Sequence, residues 1–437
     1  MKALDQTAIT NLLTKDYIGR NSQLSVFIRL INSLDDSQIL AIDGAWGSGK
    51  TVFVKQLELL CEESEELNTI PSIDQLDIRE LRDNHTTIYY NAWENDFYDD
   101  ALQSILYNLF ARIDKTSGEL MENSRKKAAS MVNIPALIKN ISRDGIDLDG
   151  KTSNEKLTSE IRDFVNRKDR IKEFLQKLIG ESDKRILFII DELDRCSPTF
   201  AVKVLEVIKH YFEIDGITFV VAVNTEQLAH TVKKFYGNDF DGYGYLNKFF
   251  DFPFSLKAPD TDQFIERYLG IRRNSHFSEM VSADIAKFLR MSMREIESYF
   301  AALELIKDYM KSDRHYYSGS MAYSAQLLFV PLALALRIKA IVEYKSFIVG
   351  DNAEILPKLL AKSDGVQRFV ESLTKRSDNN TERASLDDFI QAEYRSMFNY
   401  QSTGDYHVKE IHADFSDVVN LINSYTTIKS KNSEGKE

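Results

Sequence analysis

The chain has 437 residues, enough for two or three domains, and its 43% hydrophobic and 28% charged residues are the mixture of an ordinary globular protein. A formal net charge of −12 argues against nonspecific binding to nucleic acid or to an anionic membrane surface. The two cysteines, Cys61 and Cys196, lack the spacing of a zinc site and indicate a reducing cytoplasm rather than a disulfide-stabilised secreted protein.

The first part of the chain alternates short apolar runs with longer amphipathic ones, which predicts a parallel sheet covered by helices on both faces. The first helix is expected to begin with Asn21 or Ser22 as its cap, and the acidic residues 62–84 are expected to form a loop region. The predicted strands are Ile39–Ile42, Thr86–Asn91, Ile186–Ile190 and Phe219–Val223, and the predicted helices lie at about 21–33, 52–60, 99–113, 157–179 and 199–213.

From about residue 260 onward the periodicity is almost wholly helical, which predicts an α/β core over residues 1–258 and an all-helical region over 259–428. Residues 114–156 are polar and typical of a helical insertion or a mobile excursion. Residues 429–437 are expected to be a disordered tail.

The most apolar run, Leu327–Leu336, is ten residues long and so too short to span a bilayer. Its Pro331 predicts a buried helix with a kink or break. No signal-peptide run is present near Met1. The sequence therefore predicts a cytoplasmic protein without a membrane-inserted segment.

Residues 44–51 read Gly-Ala-Trp-Gly-Ser-Gly-Lys-Thr, the phosphate-loop pattern, and lie between a predicted strand and a predicted helix. The glycines let backbone N–H groups close around phosphate oxygens, and the N-terminus of the next helix faces the same anion. Lys50 is expected to reach the β- and γ-phosphates, and the Thr51 hydroxyl to ligate Mg²⁺. The residues expected to bind ATP here are Gly44, Trp46, Gly47, Ser48, Gly49, Lys50, Thr51 and Val52.

The most apolar strand ends in Asp191 and Glu192. In a P-loop fold these carboxylates lie beside the phosphate loop. Asp191 is then expected to hold Mg²⁺, and Glu192 to polarise the attacking water as general base. A buried strand followed by an acidic helix cap would explain the segment taken alone, but the phosphate loop upstream favours the catalytic interpretation.

Two further residues follow predicted strands. Asn224 can orient the attacking water or sense the γ-phosphate, but it can also simply cap the next helix. Trp93 is, with Trp46, one of two tryptophans in the chain. Packing is the favoured role for Trp93, although its strand should bring it near the nucleotide edge.

Together these residues resemble the KAP family of P-loop NTPases over about residues 16–305. The resemblance implies the fold with an additional strand and a catalytic glutamate: a three-layer α/β core with a parallel sheet, followed by a helical region. Members look like regulatory or switch ATPases, often with plasmid-borne or phage-exclusion functions in bacteria. Many carry transmembrane helices between the two main motifs, whereas residues 95–185 here hold no span long enough. The matching segments are 44–51, Asn-Ala-Trp-Glu at 91–94, Asp-Glu-Leu-Asp-Arg-Cys-Ser-Pro at 191–198, Tyr-Leu-Asn-Lys-Phe-Phe at 245–250 and Ser-Met-Arg-Glu-Ile at 292–296.

The same resemblance implies roles for single residues. Arg195 looks like the arginine of the family's Asp-Arg pair, and Lys248 and Arg294 look like sensors of the γ-phosphate. Arg20 resembles the turn that lies by the adenine in related switch ATPases. From the residues alone, each of these four could equally form a surface ion pair. Glu192 stands where the family often has Asp, which favours Glu192 as the base.

The sequence therefore predicts Mg²⁺-dependent ATP hydrolysis that drives a conformational switch, regulating a protein partner or self-assembly, with anti-phage defence as the setting that the resemblance implies. The alternative is a nucleic-acid-dependent ATPase or motor, for which the basic clusters at 125–127 and 167–170 are candidates, although solvated helix faces explain them better. A small-molecule kinase would need a second substrate pocket, and Glu192 favours water as the acceptor. A GTPase is not indicated, because no base-reading Asn/Thr-Lys-x-Asp motif follows a strand.

Overall fold

The computed structural model describes residues 6–34, 36–62, 70–98, 100–116, 172–173, 176, 184–212, 214–272, 275–312, 319–375, 385–399 and 406–434. The chain divides into two compact units, Met1–Pro259 and Asp260–Glu437. The expected insertion at 114–156, the expected helix at 157–179 and both basic clusters lie almost wholly outside the described residues.

The first unit is built on a parallel sheet. The strands of its described part lie side by side in the order β2-β3-β4-β1-β5, and they are β1 (Ile39–Asp43), β2 (His85–Asn91), β3 (Arg185–Asp191), β4 (Ile217–Val223) and β5 (Phe252–Ser255). β4 pairs with both β1 and β3, so that Phe219 lies opposite Ile39 on one side and Phe188 on the other. One additional strand therefore separates the strand before the phosphate loop from the strand that ends in Asp191.

Helices cover both faces of this sheet, which makes three layers. Alternate strand residues enter two apolar clusters: Phe188 and Phe219 lie in one, and Leu187 and Val220 lie in the other. Every residue of β4 is buried, as expected for a central parallel strand. The described helices of this unit are α1 (Gln6–Lys15), α2 (Asn21–Asn32), α3 (Lys50–Cys61), α4 (Gln75–Asn84), α5 (Ala101–Thr116), α6 (Pro198–Tyr211), α7 (Thr225–Tyr236) and α8 (Gly242–Leu246).

Two details of the first unit differ from the sequence predictions. Asn21 does not cap α2. Instead its side-chain N–H groups donate to Leu13 O at 2.7 Å and Pro71 O at 3.0 Å, which ties three segments together. The expected loop at 62–84 contains α4, whose N-cap is Asp74. This helix was not predicted because the segment is mostly polar and α4 buries only a few apolar residues.

The second unit is helical in its described part, as the sequence predicted. Its elements are α9 (Thr261–Gln263), a π-turn (Phe264–Tyr268), α10 (Phe277–Phe288), α11 (Met293–Ser312), α12 (Ser320–Ser324), a π-turn (Ala325–Phe329), α13 (Val330–Lys339), α14 (Ile341–Phe347), α15 (Ile355–Leu360), α16 (Asp364–Thr374), α17 (Leu386–Phe398) and α18 (Tyr406–Glu434). The backbone is helical to Glu434, where the sequence had predicted a disordered tail from residue 429. No glycine or proline interrupts this segment before Gly435.

The most apolar segment is longer than the sequence suggested. Helical backbone runs from Ser320 to Lys339, which among the described residues is the one helix long and apolar enough to cross a membrane by length and composition. In the protein, 67% of its apolar window is buried, as in the core helix of a globular unit. The expected break at Pro331 is the π-turn that precedes it, and Pro331 itself stands in the first turn of α13, where proline is tolerated.

Candidate functional site

The phosphate loop leaves β1 and turns into α3. Gly47 and Gly49 have φ angles of 78° and 92°, left-handed values that glycine adopts without a steric cost. A Cβ on Gly44 would lie 2.7 Å from Ser48 Oγ, so a side chain there would force the Ser48 hydroxyl to move. The Gly44 N–H donates to Val223 O at 3.1 Å and fastens the loop to the end of β4.

Lys50 directs its ammonium group into the loop. Its Nζ donates to Gly44 O at 2.7 Å and lies 3.4 Å from Ala45 O, and the residue is only 9% exposed. Burial lowers the pKa of Lys50, and nearby carboxylates oppose that shift, Asp194 most strongly. Ser48 Oγ is buried without a hydrogen-bond partner. An inward-facing cation beside an unsatisfied hydroxyl fits a phosphate group, whose oxygens accept hydrogen bonds from both.

The two residues expected to hold the metal are in contact. Asp191 is 1% exposed at the end of β3, and the Thr51 side chain forms a hydrogen bond with it. The Tyr89 hydroxyl donates to Asp191 Oδ2 at 2.9 Å, and the Glu192 N–H donates to Oδ1 at 2.9 Å. Burial raises the pKa of Asp191, and the hydrogen bond from Thr51 is the largest opposing effect. A hydroxyl beside a carboxylate is a set of oxygen ligands that suits Mg²⁺.

Glu192 occupies a strained turn. Its φ and ψ of 62° and 23° are left-handed, which costs about 1–3 kcal/mol for a residue with a side chain. Glu192 Oε2 forms an ion pair with Nε of Arg195, and the Arg195 guanidinium carbon lies 5.8 Å from the centroid of the Trp93 ring. The expected base and the expected Asp-Arg arginine are therefore direct partners.

The tryptophan of the phosphate loop contacts the same turn. Trp46 Nε1 donates to Asp194 Oδ2 at 2.6 Å, although the ring is 55% exposed. The two residues are 148 positions apart in the chain, and the sequence analysis did not predict their contact. Only the presence of a tryptophan within a phosphate loop hinted that Trp46 had a partner nearby.

Arg20 supports the loop from behind. It is 2% exposed, and its Nη2 donates to Ser48 O at 2.7 Å while Nη1 donates to Gln23 Oε1 at 3.3 Å. Burial lowers the pKa of Arg20 to about 10, and the charge of Asp16 opposes that shift. Arg20 thus holds the shape of the phosphate loop, and its proposed place beside the adenine stays a prediction.

Asn224 and Val52 lie at the same edge of the sheet. Asn224 follows β4, and its Oδ1 accepts the Gln227 N–H at 3.2 Å, which caps α7. The capping role considered from the sequence is therefore real. The Asn224 side-chain N–H₂ is not needed for the cap, so capping does not prevent that group from orienting the attacking water. Val52 lies in the first turn of α3.

The structure separates Lys248, one of the two expected γ-phosphate sensors, from this edge. Lys248 precedes β5, and β5 is parallel to β1, with the Asp251 N–H donating to Ile39 O at 2.9 Å. Lys248 therefore lies at the amino end of the sheet, whereas the phosphate loop leaves the carboxyl end. Within one chain the length of the sheet keeps Lys248 from the loop. Arg294 is an exposed residue at the start of α11 in the second unit.

Known proteins resemble this chain to different degrees. Residues 20–310 match the family described as KAP family P-loop domain. Two solved structures are similar only at low TM-scores. One is the ORC2 protein of Aeropyrum pernix in ADPNP–ADP complexes, with a TM-score of 0.34 and 13% identity over 97% of this chain and 95% of that one. The other is PCH-2 of C. elegans, with a TM-score of 0.22 and 12% identity over 86% and 71%.

No curated protein matches the chain significantly. The family match nevertheless covers well over half of the sequence, from the buried Arg20 to the helix that contains Arg294. It also includes the loop, the acidic strand end and the additional strand whose geometry is described above. The chain belongs to the KAP family of P-loop NTPases.

Proposed function

We propose that this protein hydrolyses ATP with Mg²⁺ and uses the cycle as a conformational switch that regulates a protein partner or its own assembly. Hydrolysis of a nucleotide follows from the family. The choice of ATP, the metal and the output of the switch are the proposal. The observation that carries it is the meeting of Lys50, the Thr51–Asp191 contact and Glu192 at the carboxyl end of one parallel sheet.

Each residue of the site has a separate chemical task. Lys50 and the loop N–H groups bind the terminal phosphates. Thr51 and Asp191 would hold Mg²⁺, which when bound would supply positive charge that offsets the negative charge of the phosphates. Glu192 accepts the proton of the attacking water. Asn224, which follows the additional strand, orients that water with its side-chain N–H₂.

The second unit supports the switch. It forms its own compact helical body, and the family match ends at residue 310, inside α11. Arg294 belongs to this body while the phosphate loop belongs to the first unit. A contact between Arg294 and the γ-phosphate would favour one arrangement of the chain by its differential affinity. The burial of the membrane-length helix found among the described residues supports a cytoplasmic location, and the family resemblance supports a setting in bacterial anti-phage defence.

Two variants separate binding from turnover. Lys50→Ala should lose most ATP binding, because it removes the loop cation that meets the terminal phosphates. Glu192→Gln should keep ATP binding and lose turnover by about 10²–10⁴-fold, because an amide does not accept the proton. Equilibrium binding of labelled ATP and a phosphate-release assay measure the two effects, with and without a chelator of Mg²⁺. Equal hydrolysis by wild type and Glu192→Gln would remove the assignment of the base.

The output of the switch is tested by size and protease sensitivity. Light scattering and native mass measurement should give different assemblies or partner binding with ATP, ADP and no nucleotide. DNA and RNA are added in parallel hydrolysis assays, because stimulation of turnover by either would favour the alternative of a nucleic-acid-dependent ATPase or motor. If size, partner binding and proteolysis of the second unit are the same in all three nucleotide states, the protein is a constitutive hydrolase or a kinase rather than a switch.

A further inference from the structure

The carboxylate assigned as the base is already engaged. Glu192 Oε2 is paired with Arg195 Nε, and the two side chains are partly exposed, at 17% and 31%. Arg195 in turn lies over Trp93, a half-exposed ring that follows β2. An oxygen that receives a guanidinium N–H is not available to a water molecule on the same side. In this structure one oxygen of the Glu192 carboxylate is therefore occupied by Arg195.

Hydrogen bonds between two turns fix the position of the Trp93 ring next to Arg195. Asp96, at the end of the turn that carries Trp93, accepts from the Ser197 N–H at 2.8 Å and from the Ser197 hydroxyl at 2.7 Å. The Trp93 N–H donates to Asn91 Oδ1 at 3.1 Å. Because these contacts hold the backbone on both sides, the Trp93 ring and the Arg195 side chain face each other in a defined arrangement.

The same turn is connected to the phosphate loop. Glu192 begins the short 3₁₀ turn Leu193–Arg195, and the buried Asp194 within that turn accepts the Trp46 Nε1–H. A direct hydrogen bond from Trp46 thus ties the phosphate loop to the turn that lies between Glu192 and Arg195.

We propose that Arg195 and Trp93 are positioning residues that hold the Glu192 carboxylate in an ion pair until a bound nucleotide draws it away to the attacking water. This inference rests on the proposed role of Glu192 as base. A partly exposed ion pair is weak, so it can open within each catalytic cycle without a large barrier. In this arrangement the empty site keeps its base occupied, and the loaded site releases it.

The kinetic test uses the full chain. Arg195→Ala should raise kcat for ATP hydrolysis several-fold with an unchanged KM, and Trp93→Ala should act in the same direction more weakly. Arg195→Lys should give an intermediate kcat, because lysine keeps the charge and loses the planar guanidinium that pairs with Glu192. Arg29→Ala removes another pair between an arginine Nε and a carboxylate, with Asp77 in α4, and should leave kcat unchanged. A lower or unchanged kcat in Arg195→Ala overturns the proposal.

The double variant Arg195→Ala/Glu192→Gln distinguishes this proposal from the one on which it rests. It should be as inactive as Glu192→Gln alone. If Glu192→Gln hydrolyses ATP as well as wild type does, the base assignment fails whatever Arg195→Ala does. If Glu192→Gln is inactive and Arg195→Ala is slow, only the positioning role fails.

A spectroscopic readout follows from the two tryptophans of the chain. In Trp46→Phe the single remaining tryptophan is Trp93, and its emission should change when a nonhydrolysable ATP analogue is added, because the guanidinium moves relative to the ring. The same titration in a double variant that also carries Arg195→Ala should show no such change. An emission that does not respond to the analogue in the first variant, or that responds equally in both, overturns the proposal.

Discussion

At the scale of single residues, the charge of Asp191 serves the chemistry of the site and lowers the stability of the folded protein. Its carboxyl group has a raised pKa because it is buried. Between the ordinary pKa and the raised one, the folded protein holds a proton that the unfolded chain has released, so the free energy of unfolding falls as pH rises through that window. Above the raised pKa the loss is complete. The charge of Asp191 therefore opposes folding at neutral pH.

We expect Asp191→Asn to melt at a higher temperature than wild type at neutral pH without nucleotide, and to lose Mg²⁺-dependent hydrolysis. The gain should shrink as pH falls from the raised pKa to the ordinary pKa of aspartate, and below the ordinary pKa it should be absent, because the wild-type group is then neutral in both the folded and the unfolded state. Thermal melts across pH, next to phosphate release, measure both effects. Tyr89→Phe serves as the control, because it removes a hydrogen bond to Asp191 and should lower the melting temperature. Identical melting of Asp191→Asn and wild type at neutral pH would contradict this account.

Substitutions of Asn224 can separate its effect on stability from its effect on catalysis. Its side-chain oxygen caps α7, whereas its N–H₂ group is the part that would orient the attacking water. Serine caps a helix about as well as asparagine. Asn224→Ser should therefore keep the free energy of unfolding and lower turnover by about 10²-fold, as the loss of one preorganised donor does. Asn224→Ala should lose turnover and also about 1 kcal/mol of stability. Wild-type hydrolysis by Asn224→Ser would reduce Asn224 to a cap.

At the scale of elements, the contact of α8 with α7 depends on one glycine. A Cβ on Gly242 would lie 2.4 Å from the backbone oxygen of Ala229, which cannot move without the helix. Gly242→Ala should destabilise the protein by about 1–3 kcal/mol in denaturant unfolding. Gly244→Ala is the comparison, because there the added atom meets the side chain of Asp241, which can rotate at the cost of its cap. If Gly242→Ala costs no more than Gly244→Ala, the close approach is not the constraint.

The elements that the sequence predicted well are those with a strong local signal. The four predicted strands are present within two residues of their expected ends, because each is a short apolar run between polar segments. β5 was not predicted, because its residues are mostly exposed and include Pro253, as an edge strand permits. Missing β5 also hid the position of Lys248, since only the direction of that strand shows that Lys248 lies at the far end of the sheet.

The site followed the same rule. The phosphate loop and the acidic strand end are contiguous in sequence, so their chemistry was readable there. The contact of Trp46 with Asp194 joins residues 148 positions apart, and no spacing pattern encodes it. The pairing of Arg195 with Glu192 is local, but the Trp93 ring that completes it comes from the end of a neighbouring strand.

At the scale of the whole molecule, the link between the units is tested through Arg294. If Arg294 reports the γ-phosphate, Arg294→Ala should weaken ATP binding relative to ADP binding and leave the affinity for ADP unchanged, because only ATP has that phosphate. Arg267→Ala, another exposed arginine of the second unit, is the matched control and should alter neither affinity. Calorimetric titration of both nucleotides measures the ratio. An unchanged ratio in Arg294→Ala would place the coupling elsewhere.

The π-turn before Pro331 determines how α13 is rotated about its own axis within the second unit. Val330–Leu336 is buried all round, and α13 packs against α10, α11 and α18, so no polar face fixes its rotation about its own axis. A π-turn holds one residue more than a regular helix does, and one residue corresponds to about 100° of rotation. Deleting a single residue between 325 and 329 would leave hydropathy and helicity nearly unchanged, yet turn every buried side chain of α13 toward a different neighbour. The number of residues in the π-turn thus sets the rotation of α13 about its axis, and the pattern of polar and apolar residues in α13 does not.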